Sequence, residues 1–108
     1  MAKRRFIIEM GMGNDLHGQD YTKAASRAVQ DALHGSSLEV LKTRPELRKD
    51  LTVKVTIGVQ EPDKVDLGVI KSLLPVGEVS VSSVVGGLNV NEAVVAQVAI
   101  EAFLPQQG

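Results

Sequence analysis

From Leu51 to Val59 every second residue is apolar: Leu51, Val53, Val55, Ile57 and Val59 alternate with Thr52, Lys54, Thr56 and Gly58. A period of two is the repeat of a half-buried strand. Arg5 to Met10 shows the same alternation, with Phe6, Ile8 and Met10 set against Arg5, Ile7 and Glu9, and predicts a first strand that the glycines after it should end. Beyond Tyr21 the period changes. Ala24, Ala25, Ala28, Val29, Ala32 and Leu33 recur at helical spacing, while Lys23, Ser26, Arg27, Gln30 and Asp31 fill the other face. Asp20 is a good N-cap for that helix and Gly35 sits where a C-cap glycine belongs. An alanine stripe of this kind implies that the helix approaches a sheet closely.

Ser36 to Asp50 reads as a polar connection containing Pro45, with room for a short turn of helix. After the break at Glu61-Pro62-Asp63, Asp66 can cap a short helix carrying Leu67, Ile70, Leu73 and Leu74 that Pro75 stops. Val79, Val81 and Val85 alternate with Ser80, Ser82 and Val84 in a third strand, which runs into Gly86-Gly87. Val94 to Leu104 holds only Gln97 and Glu101 as polar residues. An Asn91 cap would permit a helix there, but a continuous run rich in Val, Ile and Phe fits a central strand better. The expected fold is therefore α+β, one domain over 1–108 in the order β-α-β-α-β-β. It has a mixed four-stranded sheet, two helices on one face, right-handed crossovers, and the last strand antiparallel between the first two.

Composition narrows the function classes. The 108 residues carry 12 basic and 13 acidic side chains, with no tryptophan, one tyrosine and two phenylalanines. Nucleic-acid binding needs a clustered basic excess or stacking aromatics, so no nucleic-acid partner is expected. The absence of cysteine excludes disulfides, thiolate catalysis and cysteine metal sites. With two histidines a single chain cannot build a three-histidine zinc site, and no metal or cofactor is expected. No apolar run approaches a membrane span or a signal h-region, which leaves a cytoplasmic protein with no membrane partner as the expectation. A core of valine and alanine gains little per residue, so self-association is expected.

The chemistry concentrates in Gly11-Met12-Gly13-Asn14-Asp15-Leu16-His17-Gly18. Gly11, Gly13 and Gly18 allow close backbone approach, and a glycine turn feeding a helix N-terminus suits a carboxylate or phosphate ligand. The same glycines could simply shape a tight connection. The dinucleotide spacing G-x-G-x-x-G is not met. Asp15 and His17 alternate by two, so in an extended loop Asp15 could orient the imidazole and leave its other nitrogen as a general base. Alternatively Asp15 bonds turn amides and His17 packs or bonds a carbonyl. Glu9 is a candidate second acid/base group or an ion-pair partner of Arg5. Lys23, with Arg27 one turn on, could bind an anion, and Gly86 and Gly87 could form the far wall of the cavity.

The spacing Gly11-x-Gly13-x-Asp15-x-His17-Gly18 after Phe-Ile-Ile-Glu-Met resembles the signature of a small family of conserved hypothetical proteins of bacteria and plants. The likeness spans essentially the whole chain, including the Lys-Ala-Ala helix start and the Gly-Gly-Leu after the third strand. At fold level the element order is similar to YjgF/RidA, AroH-type chorismate mutase and ring-opening amidohydrolases such as cyanuric acid hydrolase. That resemblance implies a homotrimer with ligand sites in clefts between units. The Ser–Lys chemistry of the amidohydrolases does not carry over, because Val85 precedes Gly86-Gly87 and Ser80, Ser82 and Ser83 lie within the strand. Two functions follow as expectations. One is a small-molecule hydrolase or isomerase with Asp15 and His17 as acid/base pair near a subunit interface. The other is a non-catalytic binding or regulatory module in which the same loop holds a small anionic metabolite.

Overall fold

A computed structural model describes residues 3–40, 50–74 and 77–105. Along the chain come β1 (Lys3–Asp15), α1 (Tyr21–Leu33), a single-turn α2 (Ser37–Val40) and β2 (Thr52–Val59). A 3-10 turn (Pro62–Lys64), α3 (Leu67–Ser72), β3 (Glu78–Val85), β4 (Leu88–Val90) and β5 (Ala93–Pro105) complete it. The sheet order is β1-β5-β2-β3, with β5 antiparallel to both β1 and β2 and with β3 parallel to β2. This is the mixed α+β sheet that the alternating periods predict, the last strand lying between the first two. Pro45 and Pro75 fall outside the described residues.

One face of the sheet is the core. Val53, Val55, Ile57 and Val59 of β2 and Val94, Ala96, Val98, Ile100 and Ala102 of β5 are buried against Ala24, Ala25, Ala28, Val29, Ala32 and Leu33 of α1. Val94 to Leu104 is a strand because its alternate residues fill that core while its backbone pairs on both sides. α1 keeps the bounds its apolar spacing implies. Asp20 caps it by accepting from the Lys23 amide at 3.0 Å, and Gly35 follows with φ +68°. Asp66 caps α3 through the amides of Gly68 and Val69.

Two expectations change. The first strand does not end at the glycines: β1 continues through Gly11 and Gly13 to Asp15. A Cβ on Gly13 would stand 2.3 Å from the Ala28 backbone nitrogen, and one on Gly11 2.3 Å from the Ala28 carbonyl oxygen. The glycines and the alanine stripe are thus the two halves of one close helix–strand contact. The sheet also has a fifth strand. Pairing of β2 with β5 stops at Gly58 opposite Gln97, and β4 takes up the same side of β5 from Val95 to Ala93. Gly87, with φ +66°, makes the turn into it.

Near its C-terminal end the outer edge of β1 is bonded by side chains of α1. Asp31 accepts from the Met12 amide at 3.0 Å, and Arg27 donates to the Asn14 carbonyl at 2.7 Å. The sheet's second face is open, with Met10 72% and Met12 53% exposed beside Ile8 and Val84. Among the described residues no helix is long and apolar enough to cross a membrane.

Candidate functional site

The chain reverses between Asp15, the last residue of β1, and Asp20, the cap of α1. Gln19 takes a left-handed φ of 50° to make the reversal. Asp15 holds this loop together. Its Oδ2 accepts from the Asp20 amide at 2.9 Å and the Gly18 amide at 3.1 Å. Its Oδ1 faces Lys23 Nζ at 3.8 Å and Arg27 Nη1 at 3.9 Å, and the Asp15 side chain is only 7% exposed. The Asp20 amide foremost, then Lys23, the Gly18 amide and Arg27, hold this carboxyl below the usual aspartate range against the opposing effect of its burial. Asp15 is accordingly a carboxylate at neutral pH.

Around it lies a cleft of about 430 Å³ lined by Asn14, Asp15, Leu16, His17, Gly18, Asp20, Lys23 and Arg27. That volume is in the range of small-ligand sites. The structure therefore brings Asp15, His17, Gly18 and Lys23 into one cavity, with Arg27 beside them. His17 is exposed at its rim and its side chain bonds no described residue, so Asp15 spends its acceptors on amides and cations rather than on the imidazole. Glu9 lies half-buried in the middle of β1, opposite Ile100, and is outside the cleft lining. Gly11 and Gly13 lie against α1, whereas Gly86 and Gly87 lie at the same end of the sheet as Asp15 but across β5 from it, Gly87 against Val95 and Gly86 lining a different cleft. Among the described residues no three His, Asp or Glu side chains gather as a metal-ligand set.

Two features have no counterpart in the sequence reading. A shallow cleft of about 640 Å³ crosses the open sheet face between Met10, Met12, Thr56, Gln97, Val84 and Gly86. Beside the first turn of α1, the buried Tyr21 hydroxyl donates to Glu61 Oε2 at 2.9 Å and accepts from Asn89 Nδ2 at 2.8 Å. Lys64 reaches Glu61 Oε1 at 3.1 Å, and the hydroxyl and ammonium together hold the Glu61 carboxyl below the usual glutamate range. These four residues come from three separate segments, and only Glu61 and Lys64 are close in sequence. The alternation of strand apolar residues with Thr and Ser was the only signal of an open second face.

A crystal structure of an FtsZ-like protein of unknown function from Nostoc punctiforme PCC 73102 is similar over nearly the full length of both chains. It is 31% identical, covers 98% of this chain and 99% of that one, and has a TM-score of 0.85. Nothing among the curated proteins matches. The family described as conserved hypothetical protein (Lin0512_fam) matches residues 5–102. This chain belongs to that family.

Proposed function

We propose that the chain is a non-catalytic binding module for a small anionic metabolite, carried in the cleft between the end of β1 and the start of α1. The observation that supports this reading is the pairing of Lys23 and Arg27. Both converge on one oxygen of a buried carboxylate, yet their side chains remain 53% and 47% exposed. Asp15 thus holds two cations side by side at the mouth of a cavity, with His17 on its rim, where a carboxylate or phosphate from solvent can bridge them. Asn14 fixes Arg27 further through its carbonyl.

Use of the same loop by a hydrolase or isomerase, with Asp15 and His17 as the acid/base pair, would require Asp15 to accept a bond from the imidazole and orient it. Its two oxygens instead face two amides and two cations. Glu9 is too far along β1 to stand in for it. Binding asks only for donors around a cavity, and those are present.

The test is a titration of the protein with small carboxylates and inorganic phosphate, followed by amide chemical shifts. Shifts should centre on Leu16–Lys23, weaken in Lys23→Gln and in Arg27→Gln, and vanish in the double variant while its fold is retained. Perturbations that map elsewhere, or that survive the double substitution, would sink this reading.

A further inference from the structure

The two outer edges of the sheet are unlike. On β1 two outward backbone groups near its C-terminal end are bonded by side chains of α1, Asp31 on the Met12 amide and Arg27 on the Asn14 carbonyl. On β3 nothing comparable is present among the described residues. The Glu78 amide bonds Leu51 and the Gly86 amide bonds Val59, so even-numbered residues of β3 turn their backbone groups toward β2. By alternation Val79, Val81, Ser83 and Val85 turn theirs outward, and no described residue pairs with them. The strand reads EVSVSSVV, without proline, lysine or a bulge. An edge this regular is normally blunted, because it is a template for another strand. The chain after it gives no cover, since Gly86-Gly87 carries it inward to β4 beside β5.

We infer that β3 is a self-pairing edge, where a second copy of this chain adds antiparallel about a two-fold axis through Ser82. The occupant is argued from the strand itself. With Ser82 on the axis, Val79 faces Val85 of the second copy and Val81 faces Ser83, so all four outward residues exchange their N–H···O bonds with one another. Glu78 falls opposite Gly86, and no like charges meet. Val85, 74% exposed, gains Val79 as cross-strand neighbour, and Val84, 47% exposed, gains Ser80. A two-fold axis uses the same edge on both copies, so the association is a closed dimer and not a filament.

The chain has no cysteine, which makes the test direct. On the axis the two Ser82 residues form a non-hydrogen-bonded pair with Cα atoms roughly 4.5 Å apart, within disulfide reach. Ser82→Cys should cross-link completely under mild oxidation into a thiol-reversible dimer, whereas Ser80→Cys, facing Val84 of the second copy, should not. Ser82→Lys sets like charges across the axis on an exposed position and should raise the dimer dissociation constant severalfold with unchanged melting of the monomer. Light scattering of the unmodified chain at micromolar concentration should give an even-numbered mass. A monomer or isolated trimer, or equal cross-linking of the two cysteine variants, would overturn the inference.

Discussion

Gly13→Ala is the sharpest perturbation of the contact on which the loop depends. The added methyl carbon would lie 2.3 Å from the Ala28 nitrogen, 2.6 Å from the Ala24 oxygen and 2.6 Å from the Arg27 carbonyl carbon. Ordinary contact begins near 3.4 Å. All three neighbours are backbone, so no side chain can swing aside, and α1 as a whole must retreat by about 1 Å from β1. Retreat loosens Ala24, Ala28 and Ala32, each buried on that interface. Overpacking costs about 1–3 kcal/mol where side chains can adjust, and a backbone-to-backbone clash belongs at or above the upper end. Taking about 3 kcal/mol, the thermal midpoint of a domain this size should fall by roughly 10–20 °C. Urea unfolding followed by circular dichroism should show a lower midpoint with an unchanged slope. Gly11→Ala should behave alike, and Ala32→Gly should not rescue it, because the Ala28 oxygen and Ala32 nitrogen, both backbone, stay within 2.5 Å of the new methyl. A Gly13→Ala protein as stable as the parent to within about 1 kcal/mol would refute the view that these glycines are there for packing.

Three further outcomes are expected. Tyr21→Phe leaves Asn89 and Glu61 without their shared hydroxyl and should cost about 1 kcal/mol in chemical unfolding; no change would mean water replaces it freely. Asp15 has its folded-state pKa depressed, so the stability it contributes is fully present above the unfolded aspartate value and is lost as pH falls through the lower folded value. Melting temperature should therefore drop on acidification below the usual aspartate range, and the drop should be shallower in Asp15→Asn; parallel pH profiles would contradict this. Asp31→Ala unseals the Met12 amide on the β1 edge, and concentration-dependent light scattering should rise above the parent protein's.

The helix and the second strand were legible because a single period settles each: α1 keeps the bounds Tyr21 to Leu33, and β2, read from Leu51 to Val59, starts one residue later at Thr52. The end of β1 was not. Gly11 and Gly13 look like a turn when read locally, and their real partners, Ala28 and Ala32, lie a helix away in sequence. The clue was present, small residues on both partners, but it becomes a contact only once the two elements are docked. β4 is three residues without a pattern of its own, formed because β5 extends past the end of β2. At the site, the sequence names Asp15, His17, Gly18 and Lys23 as neighbours, which they are. It does not show where the Asp15 oxygens point, since that depends on the amides of Gly18 and Asp20 turning inward as the loop closes.

The position of β5 also sets a timetable for synthesis. Among the described residues β1 pairs with no strand but β5, in a register that joins Lys3 to Pro105, and β2 reaches β1 only through the same strand. Until β5 has been synthesised, β1 and α1 have no sheet to dock on. The parallel pair β2–β3 can form earlier but leaves its valines waiting for a lid. The segment with the Asp15 loop is made well before the central strand that joins it to β2, so its native pairing waits on the most distant contacts of the fold.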